Sequence, residues 1–131
     1  MNYRHSFHAG NFADLVKHAL VLWLLKARQK AGPVTVIDTH AGAGLYDLTG
    51  DAARSQEAEA GVMRLMAAET LPPAVRALAD KVRAVNDGAD AVRFYPGSPL
   101  LVARSLRDED AYRGFELNPP VVELLDQALA G

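Results

Sequence analysis

The chain contains 131 residues, of which 50% are hydrophobic and 23% are charged, and its formal net charge at pH 7 is −2. This length leaves room for one domain, and the composition is that of an ordinary soluble globular protein. The lack of cysteine excludes a disulfide framework and a thiolate metal site, and the near-neutral charge argues against a broad surface that coats nucleic acid.

No segment resembles a membrane anchor or a leader. The longest apolar run, residues 19–25, is far shorter than the roughly 20 residues that span a bilayer, and the chain opens with no signal-peptide pattern. We therefore expect a cytoplasmic protein with no membrane association.

A first helix is predicted to begin after Asn11, whose side chain can cap it, and to stop at Gly32 and Pro33. Its apolar positions recur at helical spacing. They are Leu15, Ala19, Leu22 and Leu25. These leucines and Trp23 are expected in the core, as on other amphipathic helices.

A β-branched strand is predicted over residues 34–38, and it ends at Asp38 and continues into a turn that contains Gly42 and Gly44. Residues 47–53 are polar and rich in turn formers. Two helical patterns follow, over residues 55–69 and 73–86.

The last third of the chain predicts a short extended segment over residues 91–95 and a strand over residues 112–117. Ser98 is expected to cap a helix that has Pro99 at its first position, and Asn118 with Pro119 repeats this pattern for a closing helix.

Two good strands and one weak strand cannot build the open parallel sheet that βαβ units normally form. The sequence therefore predicts an incomplete α/β fold, with residues 1–131 forming the N-terminal half of a Rossmann-like domain. Either a second half is missing, or a partner completes a small sheet.

The glycine turn fits few nucleotide-binding motifs. The third glycine of a dinucleotide fingerprint is replaced by Asp47, and no Lys-Ser/Thr pair follows as in a P-loop. An acidic residue followed by Gly-x-Gly after a strand is the shape that S-adenosylmethionine-dependent methyltransferases share. The alternative is a strand–helix turn whose glycines serve only its tightness.

Glu116 is a second candidate carboxylate for this site. In nucleoside-binding sheets the strand after the glycine turn ends in Asp or Glu, usually about 20 residues later, and this residue binds the ribose. Glu116 ends the next good strand but lies much farther along the chain. The surplus matches the two-helix segment, which predicts a helical insertion over residues 47–90 beside the cofactor mouth.

Four motifs, in order, resemble bacterial 23S ribosomal RNA adenine-N6 methyltransferases of the RlmJ type. They are YRHSFHAGN with ADLVKH (residues 3–18), DTHAGAG (38–44), YPGSPL (95–100) and FEL (115–117). The resemblance covers nearly the whole chain, and it implies a Rossmann-like class I methyltransferase fold with a small helical insertion.

The resemblance implies contacts with S-adenosylmethionine for four residues at matching positions. They are His18, His40, Ser98 and Glu116. The glycine turn, with Gly42 and Gly44, belongs to the same cofactor site. Tyr3 matches a position that contacts the RNA, and His5 and Lys17 are placed near the target base because they lie in the same matched segments. Ser98, at a helix start, suits the carboxylate of the cofactor's methionine moiety, and Glu116 suits its ribose.

The chain departs from the family pattern at the catalytic motif. Enzymes of this type carry Asp-Pro-Pro-Tyr, in which the aspartate holds the adenine amine and the aromatic ring stacks on the extruded base. This chain has only Asn118-Pro-Pro-Val121, and valine cannot stack. We therefore interpret Asn118 as a helix cap and assign no catalytic residue.

The sequence favours methylation of N6 of an adenine in 23S ribosomal RNA, with this chain supplying cofactor contacts, as a monomer or with a missing second half. Two alternatives remain. One is a non-catalytic remnant that binds S-adenosylmethionine or RNA. The other is a metal-dependent hydrolase that uses His5, His8, His18 and His40, although no acidic ligand joins them at metal-binding spacing.

Overall fold

The computed structural model describes residues 5–49, 56–89 and 91–131. Its elements follow one another in the order given next. They are a 3-10 turn (His5–Phe7), α1 (Phe12–Gln29), β1 (Thr35–Asp38), β2 (Leu45–Asp47), a π-helical segment (Glu59–Met63) continued by α2 (Arg64–Ala67), α3 (Pro73–Val85), β3 (Phe94–Pro96), α4 (Ser98–Ala103), β4 (Ala111–Gly114) and α5 (Pro119–Ala130). In these ranges no helix has the length and apolar character needed to cross a bilayer.

Helix α1 begins where the sequence predicts. The Asn11 side chain accepts a hydrogen bond from the Asp14 backbone N–H at 2.9 Å, which satisfies one of the donors that a helix start leaves unpaired. The helix ends at Gln29, shortly before the predicted stop at Gly32. Lys26 and Arg28 lie in the last turn, where their positive charges interact favourably with the negative end of the helix dipole.

The strands form two small sheets. β1 and β4 pair in parallel, with Val36 opposite Tyr112 and Asp38 opposite Gly114. β2 and β3 pair in antiparallel fashion, with Tyr46 opposite Tyr95. Helix α4 packs against β4, and β1 and β4 form a parallel pair from distant parts of the sequence, so the predicted α/β class is confirmed.

Strand β2 was not predicted. Its three residues, Leu45–Asp47, are too few to show an alternating pattern, and the sequence analysis assigned Asp47 to a polar turn. The strand exists because β3 pairs with it and because Tyr46 is buried. Tertiary pairing therefore decided the conformation of this segment.

The predicted helix over residues 55–69 is present in its described part but is distorted. Gly61 has non-helical angles (φ −101°, ψ −105°) inside the π-helical segment. A Cβ at Gly61 would collide with the Gly10 carbonyl oxygen, and the Val62 N–H donates to the same oxygen at 2.8 Å. The distortion lets this segment approach the start of α1 closely.

Helix α3 confirms the prediction for residues 73–86, and Asn86 joins it to β3. The Asn86 side-chain N–H groups donate to the carbonyls of Val82 and Phe94 at 2.8 and 2.9 Å. Its Oδ1 accepts from the backbone N–H groups of Arg93 and Phe94, both at 2.9 Å. All four bonds come from one buried amide, so the end of α3 and the start of β3 are fixed together.

The main core lies between α1, the segment 59–67, α3 and β3. Its members are buried apolar side chains that include Leu22, Val62, Leu78, Val82 and Tyr95. Leu15 packs against this core, and Ala19, Leu22 and Leu25 are buried, as predicted.

Trp23 departs from the prediction for α1. Its side chain is 57% exposed, so the expectation that it lies in the core is wrong for the described chain. The helical spacing places Trp23 on the side of α1 opposite the buried residues, and that side is apolar as well.

Two predicted boundaries also change. Gly97 is the residue that precedes α4, so Ser98 is its first helical residue and Pro99 its second, and the expectation that Ser98 caps the helix is wrong. Strand β4 ends at Gly114, so Glu116 lies two residues beyond the strand instead of at its last position.

Candidate functional site

Asp38 connects the carboxyl end of β1 with its neighbours. Its Oδ2 accepts hydrogen bonds from the Ser98 hydroxyl at 2.9 Å and from the Tyr112 hydroxyl at 3.1 Å. Its Oδ1 accepts from the His40 backbone N–H at 3.3 Å. Burial and the adjacent charge of Asp38 raise the pKa of Tyr112, so this phenol remains a donor. Asp38 thus holds β1, β4 and the start of α4 in one arrangement.

The glycine turn lies against this arrangement and uses backbone conformations that favour glycine. Gly42 and Gly44 have φ values of +75° and +81°. A Cβ at Gly42 would lie 2.6 Å from the Tyr46 hydroxyl oxygen. The Gly44 carbonyl accepts from the Gly97 N–H at 2.8 Å. These glycines are therefore needed for the tight backbone of the turn itself. That agrees with the alternative interpretation, in which they have a structural role.

Glu116 closes the other side of the turn. Its Oε2 accepts from the Gly42 N–H at 3.0 Å, and its Oε1 accepts from the N–H groups of Leu117 and Asn118 at 2.9 and 3.0 Å. The hydrogen bond from Asn118 does most to lower the pKa of Glu116; those from Gly42 and Leu117 and the charge of His40 add to it, and burial opposes it. Glu116 is therefore an ionised, partly exposed acceptor at the mouth of the turn.

Asn118 precedes α5, as predicted, but its side chain makes no capping bond. The Glu116 carboxylate binds the Asn118 backbone N–H instead. The position of Asn118 at the helix start is confirmed, and a different residue satisfies the backbone there.

Four of the predicted cofactor residues meet at the carboxyl ends of β1 and β4. Gly42 contacts Glu116 directly, the His40 backbone binds Asp38, and Ser98 binds the same carboxylate. The His40 ring is exposed and lies 2.9 Å from the Thr39 hydroxyl. These residues come from three separate parts of the sequence, and the parallel pairing of β1 with β4 brings them together.

His18 lies on the buried side of α1, with 1% of its surface exposed. Its Nδ1 is 2.7 Å from the Tyr95 hydroxyl, a hydrogen bond inside the core. Burial lowers the pKa of His18 to about 4, and the charges of Asp14 and Asp38 oppose this only in part. The imidazole is therefore neutral at pH 7, and it lies in the interior against Tyr95.

A second group of charged residues surrounds Asp14, which is 3% exposed. Its Oδ2 lies 3.0 Å from His5 Nε2 and accepts from the Gly10 N–H at 3.1 Å, while Lys17 Nζ lies 3.2 Å from Oδ1. Burial alone would raise the pKa of Asp14, but the hydrogen bond with His5 and the positive charges nearby lower it to about 2. The structure thus brings His5 and Lys17 together through one buried carboxylate.

Tyr3, the remaining predicted RNA contact, lies outside the residues that the structure describes. The four histidines have different partners: His5 binds Asp14, His8 binds Glu57, His18 binds Tyr95 and His40 contacts Thr39. Within the described ranges, no group of three or more His, Asp or Glu side chains is placed to hold a metal ion.

A family model with the description "RsmJ: Ribosomal RNA large subunit methyltransferase D, RlmJ" matches residues 31–131. The chain belongs to this family. The resemblance that the sequence motifs carry is therefore confirmed, and the family is one of ribosomal RNA methyltransferases.

Two curated relatives have the name "Ribosomal RNA large subunit methyltransferase J". The protein from Escherichia coli K12 is 39% identical over 127 residues, which are 95% of this chain and 45% of the relative. The protein from Haemophilus influenzae is 35% identical over 121 residues, which are 91% of this chain and 43% of the relative. The chain thus spans less than half the length of either one.

A solved structure also resembles this chain. The crystal structure of a Legionella pneumophila protein superposes with a TM-score of 0.81 at 31% sequence identity. The superposition covers 92% of this chain and 44% of the other. The architecture described above is therefore shared with this neighbour over nearly all of this chain.

Sequence reasoning assigned no role to Asp14, although a signal was present. Asp14 shares the buried face of α1 with His18, Leu22 and Leu25, at spacings of 4, 8 and 11 residues. A carboxylate on the buried face of a helix needs hydrogen-bonding or oppositely charged partners, because burying an unpaired charge costs folding free energy. The nearby His5 and Lys17 are those partners.

Proposed function

We propose that this chain is the cofactor-binding half of an enzyme that methylates N6 of an adenine in 23S ribosomal RNA, with S-adenosylmethionine as the methyl donor. The observation that carries the proposal is the Glu116 carboxylate bound to the Gly42 backbone at the carboxyl ends of two parallel strands. Ligands of open α/β sheets bind at that edge. Membership of the RlmJ family supports the same activity.

The proposed fold is a Rossmann-like class I methyltransferase domain, of which residues 1–131 form the N-terminal half. The small parallel sheet with helices around it supports this assignment. We further assign residues 47–90 to a helical insertion. Its described helices pack on α1, next to the core that holds His18.

Glu116 is the residue best suited to bind the cofactor's ribose. A ribose hydroxyl is a hydrogen-bond donor, and the ionised carboxylate retains acceptor capacity beyond its three bonds to backbone N–H groups. The exposed His40 ring lies at the same mouth. We assign both residues to cofactor binding, together with the backbone of Gly42 and Gly44.

Ser98 and His18 have supporting roles in the proposed site. Ser98 donates its proton to Asp38 in the structure, so it fixes the end of β1 beside the cofactor mouth. His18 is buried, and its ring lies close enough to Asp38 for the charge of that carboxylate to act on the pKa of His18. We propose that both contact S-adenosylmethionine from the interior side of the site.

The proposed RNA contacts are Tyr3, His5 and Lys17. Lys17 is 55% exposed along its side chain, so its ammonium group can contact a phosphate while Asp14 holds its position. His5 is held by the same carboxylate. The RNA would therefore approach the side of the chain where α1 begins.

The chemistry divides between this chain and the rest of the enzyme. When bound, S-adenosylmethionine would supply an electrophilic methyl group. The adenine amine, which is a weak nucleophile, would form the new N–C bond as the S–C bond breaks, S-adenosylhomocysteine would leave, and the amine would lose its proton to solvent during or after transfer. The chain's own residues bind and align, which is a large part of catalysis for such a reaction. The acceptor for the amine is expected from the family's Asp-Pro-Pro-Tyr motif, which this sequence lacks.

A second candidate is a protein that binds S-adenosylmethionine or RNA without transferring a methyl group, and the contact between Gly42 and Glu116 supports cofactor binding by either candidate. Calorimetric titration with S-adenosylhomocysteine tests the binding that both candidates share, with NAD as the control ligand. Saturable binding of S-adenosylhomocysteine but not of NAD supports the proposal. The absence of binding in a folded sample rejects the methyltransferase and leaves only a protein that binds RNA. A methyl-transfer assay on 23S ribosomal RNA then separates the two.

A further inference from the structure

One side of α1 is apolar, exposed and free of charged side chains. We call it the outer face of α1, and its members are Phe12, Val16, Leu20, Trp23 and Leu24. Their spacing of three, four and one residues places them along one side of the helix. Each side chain is between 46% and 70% exposed.

The opposite side of α1 is already buried in the core through Ala19, Leu22 and Leu25. Helix α1 is therefore apolar around most of its circumference. A surface helix normally carries polar residues opposite its buried face, whereas a helix that is apolar all round lies in a protein interior. Single exposed apolar residues are ordinary, but five in one stripe indicate a surface that another polypeptide covers.

The parallel sheet gives a second, independent observation. In strand β1, Ile37 is 64% exposed, and just beyond β4 the side chains of Phe115 and Leu117 are 58% and 96% exposed. Parallel sheets are normally covered on both faces. In the described part of the chain, β1 and β4 pair only with each other, so each has an outer edge with unpaired backbone groups.

We propose that the outer face of α1 and the open edges of the β1–β4 sheet bind a polypeptide that corresponds to the part of the RlmJ-family domain this chain does not match. The similar proteins extend well beyond it, since the chain spans 45% of the Escherichia coli relative and 44% of the Legionella pneumophila structure. Such a segment offers parallel strands and apolar helices together. This inference does not depend on whether the chain binds a cofactor.

A second copy of this chain fits the surface less well. Two copies related by a two-fold axis would present identical edges to each other, and strands paired across that axis run antiparallel. The β1–β4 pair is parallel, and copies that extend it in the same sense must join head to tail, which does not give a two-fold dimer. The geometry therefore favours a complementary segment over self-association.

Trp23 allows a direct test, because it is the only tryptophan in the chain and lies on the outer face of α1. The 131-residue chain is labelled with 5-fluorotryptophan and mixed with the unmatched part of the Escherichia coli relative, produced without label. We expect a one-to-one complex in native mass spectrometry. We also expect a changed ¹⁹F signal from Trp23 and loss of its solvent isotope shift, because the indole becomes buried.

Two variants, each with a new glutamate on α1, test whether binding depends on the outer face of α1. Leu20→Glu places a carboxylate on the outer face of α1 and should abolish the complex, while the isolated chain keeps its circular dichroism spectrum because Leu20 is 53% exposed. Arg28→Glu places the same group on an exposed part of α1 outside that face and should bind as the unchanged chain does.

Three results would overturn the proposal. One is the lack of any complex on co-expression while Trp23 stays accessible. Another is a dimer of the chain alone that buries Trp23 and dissociates on Leu20→Glu, which would assign the face to a second copy. If the added segment is insoluble, a fusion of the two in one chain replaces it. A folded fusion in which Trp23 stays as accessible as in the 131-residue chain would likewise reject the proposal.

Discussion

At the scale of single residues, Glu116 and Gly42 form the contact on which the proposed cofactor site depends. Glu116 accepts from three backbone N–H groups, of which that of Gly42 belongs to the glycine turn. These bonds hold the carboxylate ionised and oriented before any ligand arrives. Preorganised acceptors of this kind cost little to bring into a complex.

Replacing Glu116 with Ala should weaken the affinity for S-adenosylhomocysteine, because the ribose hydroxyls lose their charged acceptor. We expect a loss on the order of 1 to 3 kcal/mol of binding free energy by calorimetry. Glu123→Ala, at an exposed position of α5, is the matched control and should bind unchanged. Equal affinities of the two variants would remove Glu116 from the site.

Gly42→Ala should destabilise the fold more than Gly88→Ala does. Both glycines have a positive φ, +75° and +76°, so alanine is strained at either position by roughly 1 kcal/mol. Only at Gly42 would the new Cβ also meet another atom, the Tyr46 hydroxyl oxygen at 2.6 Å, whereas nothing lies within 4 Å at Gly88. Urea unfolding of the two variants measures the difference, and equal midpoints would show that Tyr46 moves aside without cost.

At the scale of elements, two contacts tie the helices to the strands. Asn86 joins α3 to β3 through four hydrogen bonds, and His18 joins α1 to β3 through the Tyr95 hydroxyl. Each is a buried polar group whose partners lie on another element. Helix propensity alone does not produce such contacts.

The sequence predicted α1, β1, α3 and the start of α5 because caps, prolines and apolar spacing are local signals. It missed β2, and it misplaced the start of α4 and the end of β4. Those features depend on pairing between distant segments, as in the contact between the Gly44 carbonyl and the Gly97 N–H. A contact between residues far apart in the chain leaves no pattern in the local sequence.

Asn86→Ala should lower the free energy of unfolding by about 1 to 3 kcal/mol, because the N–H groups and carbonyls that it now satisfies lose their buried partner. Asn118→Ala is the control, since that side chain makes no capping bond and should be nearly neutral. Hydrogen exchange should also accelerate at the Arg93 and Phe94 amides. Unchanged exchange there would contradict the proposed link between α3 and β3.

The stability of the chain should fall as the pH drops from about 6.5 to about 4. Burial lowers the pKa of His18 from 6.5 to about 4, so in this window the unfolded chain binds a proton that the folded chain refuses. A pKa difference of this size corresponds to about 3 kcal/mol of folding free energy. The stabilisation is complete above pH 6.5 and is lost toward pH 4.

A double variant, His18→Leu with Tyr95→Phe, removes the titrating ring and its partner together. Urea unfolding at pH 7 and pH 4.5 should then show a much smaller difference than the unchanged chain shows. A drop as large as that of the unchanged chain would assign the pH dependence to other groups.

At the scale of the whole molecule, the chain presents the proposed cofactor site at one edge of an open sheet and an apolar helix face beside the core. The proposed cofactor site could be predicted from the sequence, because Gly42, Gly44 and Glu116 lie in the motifs that resemble the RlmJ type. The outer face of α1 could not be found in the same way, because a leucine in a helix has the same letter whether it is buried or exposed. Only the fold shows which side of α1 the core occupies.

The most direct test of the account is an NMR titration of the ¹⁵N-labelled 131-residue chain with S-adenosylhomocysteine. We expect saturable shifts of the Gly42, Gly44 and Glu116 amide signals, while the Gly88 signal, beyond the end of α3, stays in place. A folded chain whose glycine-turn signals do not move at saturating ligand, or whose shifts lie only elsewhere, would contradict the central claim that this turn and Glu116 hold the methyl donor.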